Sequence, residues 1–313
     1  PKDDAVQHTG TGRISRLMMR PMSLFESLES NGSVSLKSLF DGHINVEAVS
    51  DLSIEGIASA LVRGGWPASI GDDESIALRH AVDYVEAIIN ADISRVDGVE
   101  KNPARVRALM RSYARNIATT ATMRTIRDDI ALGDADASIS EKTISQYLVA
   151  LDRMFVTEDL PAWNPALRSK TAIRSSVKRH FVDPSIATAV MRLTPFRLLE
   201  HFEYFGFLFE SLCTRDLRIY ADAIDGQVFH YRDASGLESD TVVCLNDGRW
   251  APIEVKLGTK AIEEAAEHLL ELKAKVDTGK MNEPSFLMIL TGGKFAYRRK
   301  DGVLVVPIGS LKD

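Results

Sequence analysis

Glu254 and Lys256 stand two residues apart in the run WAPIEVKLG (250–258), with Ile253, Val255 and Leu257 between and beside them. In a strand alternate side chains share a face, so both charges fall on one face and three aliphatics on the other. Asp240, in GLESDTVV, lies upstream across the turn signal NDG (246–248), which makes the two runs antiparallel neighbours. Glu238 shares its face by the same alternation. Glu210 lies in FLFESL, where flanking apolar residues would otherwise exclude a carboxylate. Hard divalent cations such as Mg²⁺ or Mn²⁺ take one or two carboxylates plus waters and phosphate oxygens. Asp240, Glu254 and Glu210 are therefore the candidate metal ligands, and with Lys256 they form the candidate catalytic set. The expected chemistry is polarisation of a phosphodiester and activation of water, with Lys256 orienting that water or steadying charge on the phosphate. The plainer alternative is a Glu–Lys pair on the solvated face of a sheet.

The elements that must position these residues begin at TPFR (194–197). A long apolar helix is expected over roughly 197–220, then strands at QVFHYRD, ESDTVVCL and RWAPIEVKL with turns at ASG (234–236) and NDG. The helix AIEEAAEHLLELKAKVD, the strand SFLMIL and a hairpin turning at Asp301-Gly302 complete the chain. The order is α-β-β-β-α-β, and its crossover helix implies a strand parallel to the third. Asp-(x)13-Glu-x-Lys behind a helical Glu is the spacing written PD-(D/E)xK.

Upstream, residues 31–50 are Ser/Gly-rich and read as a connector, and helices dominate from Asp51, broken at GGWP (64–67). ARVRALMRSYARNIATT, MRTIRDDIAL and SISEKTISQYLVALDRMF read as three helices, the last opened by a capping box from Ser138 to Glu141. Short strands around a loop follow, in the order of a winged helix-turn-helix. The expected class is α+β: a helical and winged-helix N-terminal half, then an αβββαβ unit like that of restriction endonucleases.

The chain has 313 residues, a formal net charge of −6 and two cysteines, Cys213 and Cys244. A polybasic nucleic-acid binder, a disulfide framework and a cysteine metal site are thereby disfavoured. Without an apolar run of bilayer length or a leader, a cytoplasmic location with no membrane partner is expected. Locally the balance differs: residues 101–180 hold fourteen Lys/Arg against eight Asp/Glu, and 165–180 hold five bases and no acid. DNA is therefore the expected partner, with weak sequence preference. Lys142, Thr143 and Gln146 would approach from the third helix, and Arg168, Lys170, Arg174, Lys178 and Arg179 from a basic wing. The alternative is a winged helix that only packs between neighbours.

Together these stretches resemble the C-terminal part of the uncharacterised prokaryotic ATPases that join an AAA-type module to a winged helix and a PD-(D/E)xK endonuclease-like domain. GTGRISRLMMRPMSLFES (10–27) resembles the end of the ATPase core, RGGWP (63–67) the turn of the helical segment that follows, VKRHFVDPSIA (177–187) the family's Lys-Tyr-Phe-x-Asp stretch, and ESDTVV with PIEVKLG its nuclease-like strands. Ser239 and Thr241 depart from the hydrophobic residues that usually flank the strand aspartate. No Gly-x4-Gly-Lys-Ser/Thr phosphate loop occurs in this chain, so ATP is expected only in a longer protein of which this is the C-terminal part. The resemblance implies a tail of the ATPase core and connector over 1–50, a helical segment over 51–102, a winged helix over 103–195 and the nuclease-like domain over 196–313. It also implies that Arg13 or Arg20 senses the nucleotide. Self-association is left open, as is the choice between a Mg-dependent endo- or exonuclease and a non-catalytic regulatory module that binds DNA or protein.

Overall fold

The computed structural model describes residues 18–96, 101–133, 139–164 and 176–313. Its described part opens with β1 (Val34–Ser35), α1 (Leu36–Phe40) and β2 (Ala48–Val49). A helical half follows: α2 (Ile54–Arg63), α3 (Glu74–Ala87), α4 (Ile93–Arg95), α5 (Pro103–Arg115), α6 (Met123–Gly133), α7 (Glu141–Arg153), α8 (Ser185–Met191) and α9 (Pro195–Glu200). Then come α10 (Phe202–Ala223), β3 (Gly226–Arg232), β4 (Glu238–Leu245), β5 (Trp250–Lys256), α11 (Ile262–Lys275), β6 (Met288–Thr291), β7 (Phe295–Arg298), β8 (Leu304–Pro307) and β9 (Leu311–Lys312). The protein is a mixed α+β chain.

Local chemistry explains the ends of these helices. Asn102 caps α5 through its side chain, with Pro103 at the first helical position, where its missing N–H costs nothing. α7 is capped by Ser140, whose hydroxyl accepts from Thr143 N, and not by the expected Ser138, which lies outside the described residues. The long apolar helix is two helices. α9 ends at His201, whose φ of −124° and ψ of 62° lie outside the helical region and break the run before α10 starts. After α7 the chain forms bridges Thr157↔Phe181 and Leu160↔Lys178, so residues 156–163 and 176–182 make an antiparallel ribbon.

The main sheet runs β2-β7-β8-β6-β5-β4-β3. β3, β4 and β5 form an antiparallel meander, and α11 carries the chain over to β6, parallel to β5 with Glu254 beside Ile289. Gly236 and Gly248 turn the meander and Gly302 turns β7 into β8, each at a φ near +90° that glycine adopts without strain. Residues 31–50 are not a connector. β2 pairs with the outer edge of β7, β1 pairs in parallel with β9, and Leu36, Leu39 and Phe40 are buried. Two-residue strands are too short to show a period, so composition alone misread them.

A buried ionic knot joins the N-terminal segment, the helical half and α10. Arg215 Nη1 lies 2.8 Å from Asp183 Oδ2, and its Nε donates to Asp216 Oδ1 at 2.9 Å. The remaining lone pairs take backbone donors: Gly65 N on Asp183 and Leu24 N on Asp216. Each buried charge is thus both paired and hydrogen-bonded. Gly65 is required because a Cβ there would run into the Met22 backbone.

Candidate active site

Asp240 and Glu254 converge because of register. Thr241 pairs with Ile253 across β4 and β5, so the next step outward sets Asp240 opposite Glu254. On its other side β4 bulges. Phe229 pairs with Val242 and Tyr231 with Ser239, leaving Asp240 and Thr241 together opposite His230. A bulge bends the strand and re-aims its side chains. Asp240 Oδ2 accepts from Val255 N at 2.9 Å, which locks its carboxylate against β5.

Two ammonium groups flank Asp240. Lys256 Nζ lies 3.4 Å from Asp240 Oδ2 and 2.7 Å from Glu254 Oε2. Lys178 Nζ lies 3.5 Å from Asp240 Oδ1 and 2.5 Å from Glu210 Oε1. The order of charges is Glu210, Lys178, Asp240, Lys256, Glu254. Of these, Glu254 Oε1 is buried and has no hydrogen-bond partner.

Burial sets the titration of the group. Glu254 is pushed up to about 8, first by burial and then by the neighbouring Asp240 charge. Burial likewise raises Glu210 to about 7, outweighing its Lys178 partner. Asp240 goes the other way: burial opposes its charge, but the two ammonium groups and the Val255 N–H hold it below the usual carboxylate range. Both lysines are desolvated, yet their carboxylate partners hold them above the ordinary lysine range.

Lys178, Glu210, Asp240 and Lys256 line an open cleft of about 1020 Å³. Phe202 and Phe207 of α10, both exposed, form part of its wall, with His230, Arg232 and Lys260 around it. His230 donates from Nε2 to the Ser176 carbonyl at 2.9 Å, and burial beside cations lowers its pKa to about 4. It is a neutral clamp on the ribbon.

The four expected catalytic residues therefore come together, but no group of three or more His, Cys, Asp or Glu side chains is set to hold a metal ion among the described residues. Glu210 lines the cleft but is engaged by Lys178, whose Nζ lies 2.5 Å from its Oε1. Asp240 with Glu254 fits a hard cation better, because the orphaned Glu254 oxygen beside an ionised Asp240 is an unfilled oxygen donor set, and two carboxylates suffice when waters complete the shell.

The expected DNA-contacting residues separate into three groups. Lys142 and Gln146 are exposed on the first turns of α7, with Thr143 half-buried beside them. Arg168, Lys170 and Arg174 lie outside the described residues. Lys178 is in the carboxylate cleft, and Arg179 is buried, its Nη1 2.5 Å from Asp159 Oδ2 and its Nε donating to the Ala121 carbonyl at 3.0 Å. Neither stands on a solvated wing. Arg13 lies outside the described residues, and Arg20 Nη2 is held 2.7 Å from Glu158 Oε1, with Asp222 as its second partner. Lys178 as a cleft residue and His230 as its clamp escaped the sequence reading. Nothing in the local sequence VKRHFVD (177–183) signals either role.

Residues 54–197 match the model of a family described as Domain of unknown function (DUF8612), and residues 205–311 match one described as Domain of unknown function (DUF4143). Each covers less than half of the chain. The interval between the two matches holds the break between α9 and α10. No curated protein matches the chain. No helix among the described residues is long and apolar enough to cross a membrane.

Proposed function

We propose that the cleft is a divalent-cation-dependent phosphodiester-hydrolysing site acting on nucleic acid, in a nuclease-like domain of the PD-(D/E)xK type, with the winged-helix-like unit α5–α7 and its ribbon supplying DNA contacts. The observation that carries this reading is Glu254, whose orphaned oxygen is buried beside Asp240 and Lys256. Bound Mg²⁺ or Mn²⁺ would supply Lewis-acid polarisation of the phosphodiester and lower the pKa of the attacking water. Asp240 is ionised and fixed by Val255 N, so it serves as a rigid anionic anchor. Glu254, pushed up to about 8, would release its proton to solvent in order to hold the cation with Asp240. Lys256 stays protonated, so it donates hydrogen bonds to the water or the phosphate and does not act as a base. Lys142 and Gln146 on α7 suit backbone contacts more than base readout. ATP control rests on the resemblance alone.

Incubation of plasmid, linear and single-stranded DNA with Mg²⁺ or Mn²⁺ tests the reading. Cleavage should fall by roughly 100-fold or more in Asp240→Asn and Lys256→Met. Equal cleavage in wild type and both variants would sink it. A second reading, a non-catalytic DNA- or protein-binding module, is favoured by the two ammonium groups that already compensate most of the carboxylate charge. Salt-sensitive DNA binding with no cleavage and no heat of Mn²⁺ binding would select it.

A further inference from the structure

Lys178 is the residue the fold delivers most deliberately. It comes from the ribbon that follows α7, outside the α10–β6 unit that carries the other four charges. Three contacts hold the ribbon in place. Ala162 makes a parallel bridge with His230 on the outer edge of β3, with Trp163 N donating to the His230 carbonyl at 2.7 Å and His230 N to the Pro161 carbonyl at 3.0 Å. The third is the bond from His230 Nε2 to the Ser176 carbonyl. Lys178 itself is fixed in backbone by reciprocal bonds with Leu160, at 2.9 and 2.8 Å. Its ammonium has one short partner, Glu210, while its contacts with the Asp240 carbonyl and carboxylate are long, 3.4 and 3.5 Å, and it borders the cleft.

A counter-ion for Glu210 alone would not need to reach Asp240 from the opposite side to Lys256. Charge arithmetic gives the reason. Fully ionised, the three carboxylates and two lysines sum to −1. One divalent cation and one phosphodiester, together +1, bring the loaded site to neutrality. Without Lys178 the same loaded site would carry a buried negative charge, which a low-dielectric cleft disfavours.

We propose that Lys178 is a phosphate-binding residue of the cleft, contributed by the preceding helical unit, so that the site is composite and shaped for a single phosphodiester beside a single divalent cation. The inference rests on the nucleic-acid reading above and adds a residue and a stoichiometry to it. In the bound state the Lys178 N–H groups now at long distance turn to a non-bridging phosphate oxygen, while Glu210 keeps the side chain extended.

The test uses the full chain, Ca²⁺ in place of a cleavage-supporting ion, a fluorescein-labelled DNA duplex and its single strand, and Mn²⁺ alone in a separate calorimetric titration. Lys178→Met should bind Mn²⁺ more tightly, because a like charge is gone, yet lose about tenfold in Ca²⁺-dependent DNA affinity, with the salt slope reduced by about 1. Lys178→Arg should retain most DNA affinity. The deciding variant is the double change Lys178→Met with Glu210→Gln, which removes both charges together and avoids stranding a buried carboxylate. It should return Mn²⁺ affinity toward wild type and leave DNA affinity low. DNA affinity restored in the double variant makes Lys178 a mere counter-ion and overturns the proposal while the nuclease reading stands. A wild-type chain that binds neither Mn²⁺ nor DNA overturns both.

Discussion

At the scale of single residues, the site differs from a surface Glu–Lys pair by desolvation. Glu254 is 2% exposed and its carboxyl titrates near 8 in place of the ordinary 4.5. Between those values the folded chain binds more protons at this position than the unfolded chain. Its contribution to stability is therefore fully present below pH 4.5 and is lost as pH rises toward about 8. In metal-free buffer, urea unfolding of the wild type should show stability falling across this window. Glu254→Gln should flatten that slope and exceed wild type at the alkaline end; a parallel pH profile for the two proteins would contradict the assignment. Glu254 and Lys256 were legible in sequence because one strand's alternation places them. Lys178 was not, since its partners Glu210 and Asp240 lie 32 and 62 residues away and nothing local announces them.

At the scale of elements, the α-β-β-β-α-β order, the crossover helix and the Asp301-Gly302 turn could be read because periodicity and turn chemistry agree there. The bulge at Asp240 could not, because it arises only from pairing β4 against β3. The Arg215–Asp183–Asp216 knot was also invisible, as it ties three segments remote in sequence. Asp183→Asn removes one charge of a fully buried set whose Arg215 side chain is 2% exposed, and should cost about 3–5 kcal/mol in urea denaturation. Gly65→Ala forces a methyl against the Met22 backbone and should cost roughly 1–3 kcal/mol. A loss under about 1 kcal/mol for Asp183→Asn would show that water reaches the knot.

At the scale of the whole molecule, the N-terminal segment belongs to the C-terminal sheet. β2 covers the β7 edge, β1 pairs with β9, and Leu24 N is held by Asp216 of α10. A separately produced fragment of residues 202–313 would lose both small strands and the ribbon that carries Lys178. It should bind the dye ANS and unfold broadly, whereas the full chain should unfold more sharply and without ANS binding; a sharply unfolding, ANS-silent fragment would contradict this. Arg20 and Leu24 thus tie the N-terminal segment to Glu158 and to α10, the helix that also carries Glu210.

The central claim is that Asp240, which lines the cleft, and the buried Glu254 beside it form a divalent-cation site. The most direct measurement is anomalous diffraction from crystals soaked in Mn²⁺ at a pH above 8. The account predicts a peak shared by the Asp240 and Glu254 carboxylates, with Glu210 still on Lys178. No peak there, with the Lys256–Glu254 contact unchanged, would contradict it.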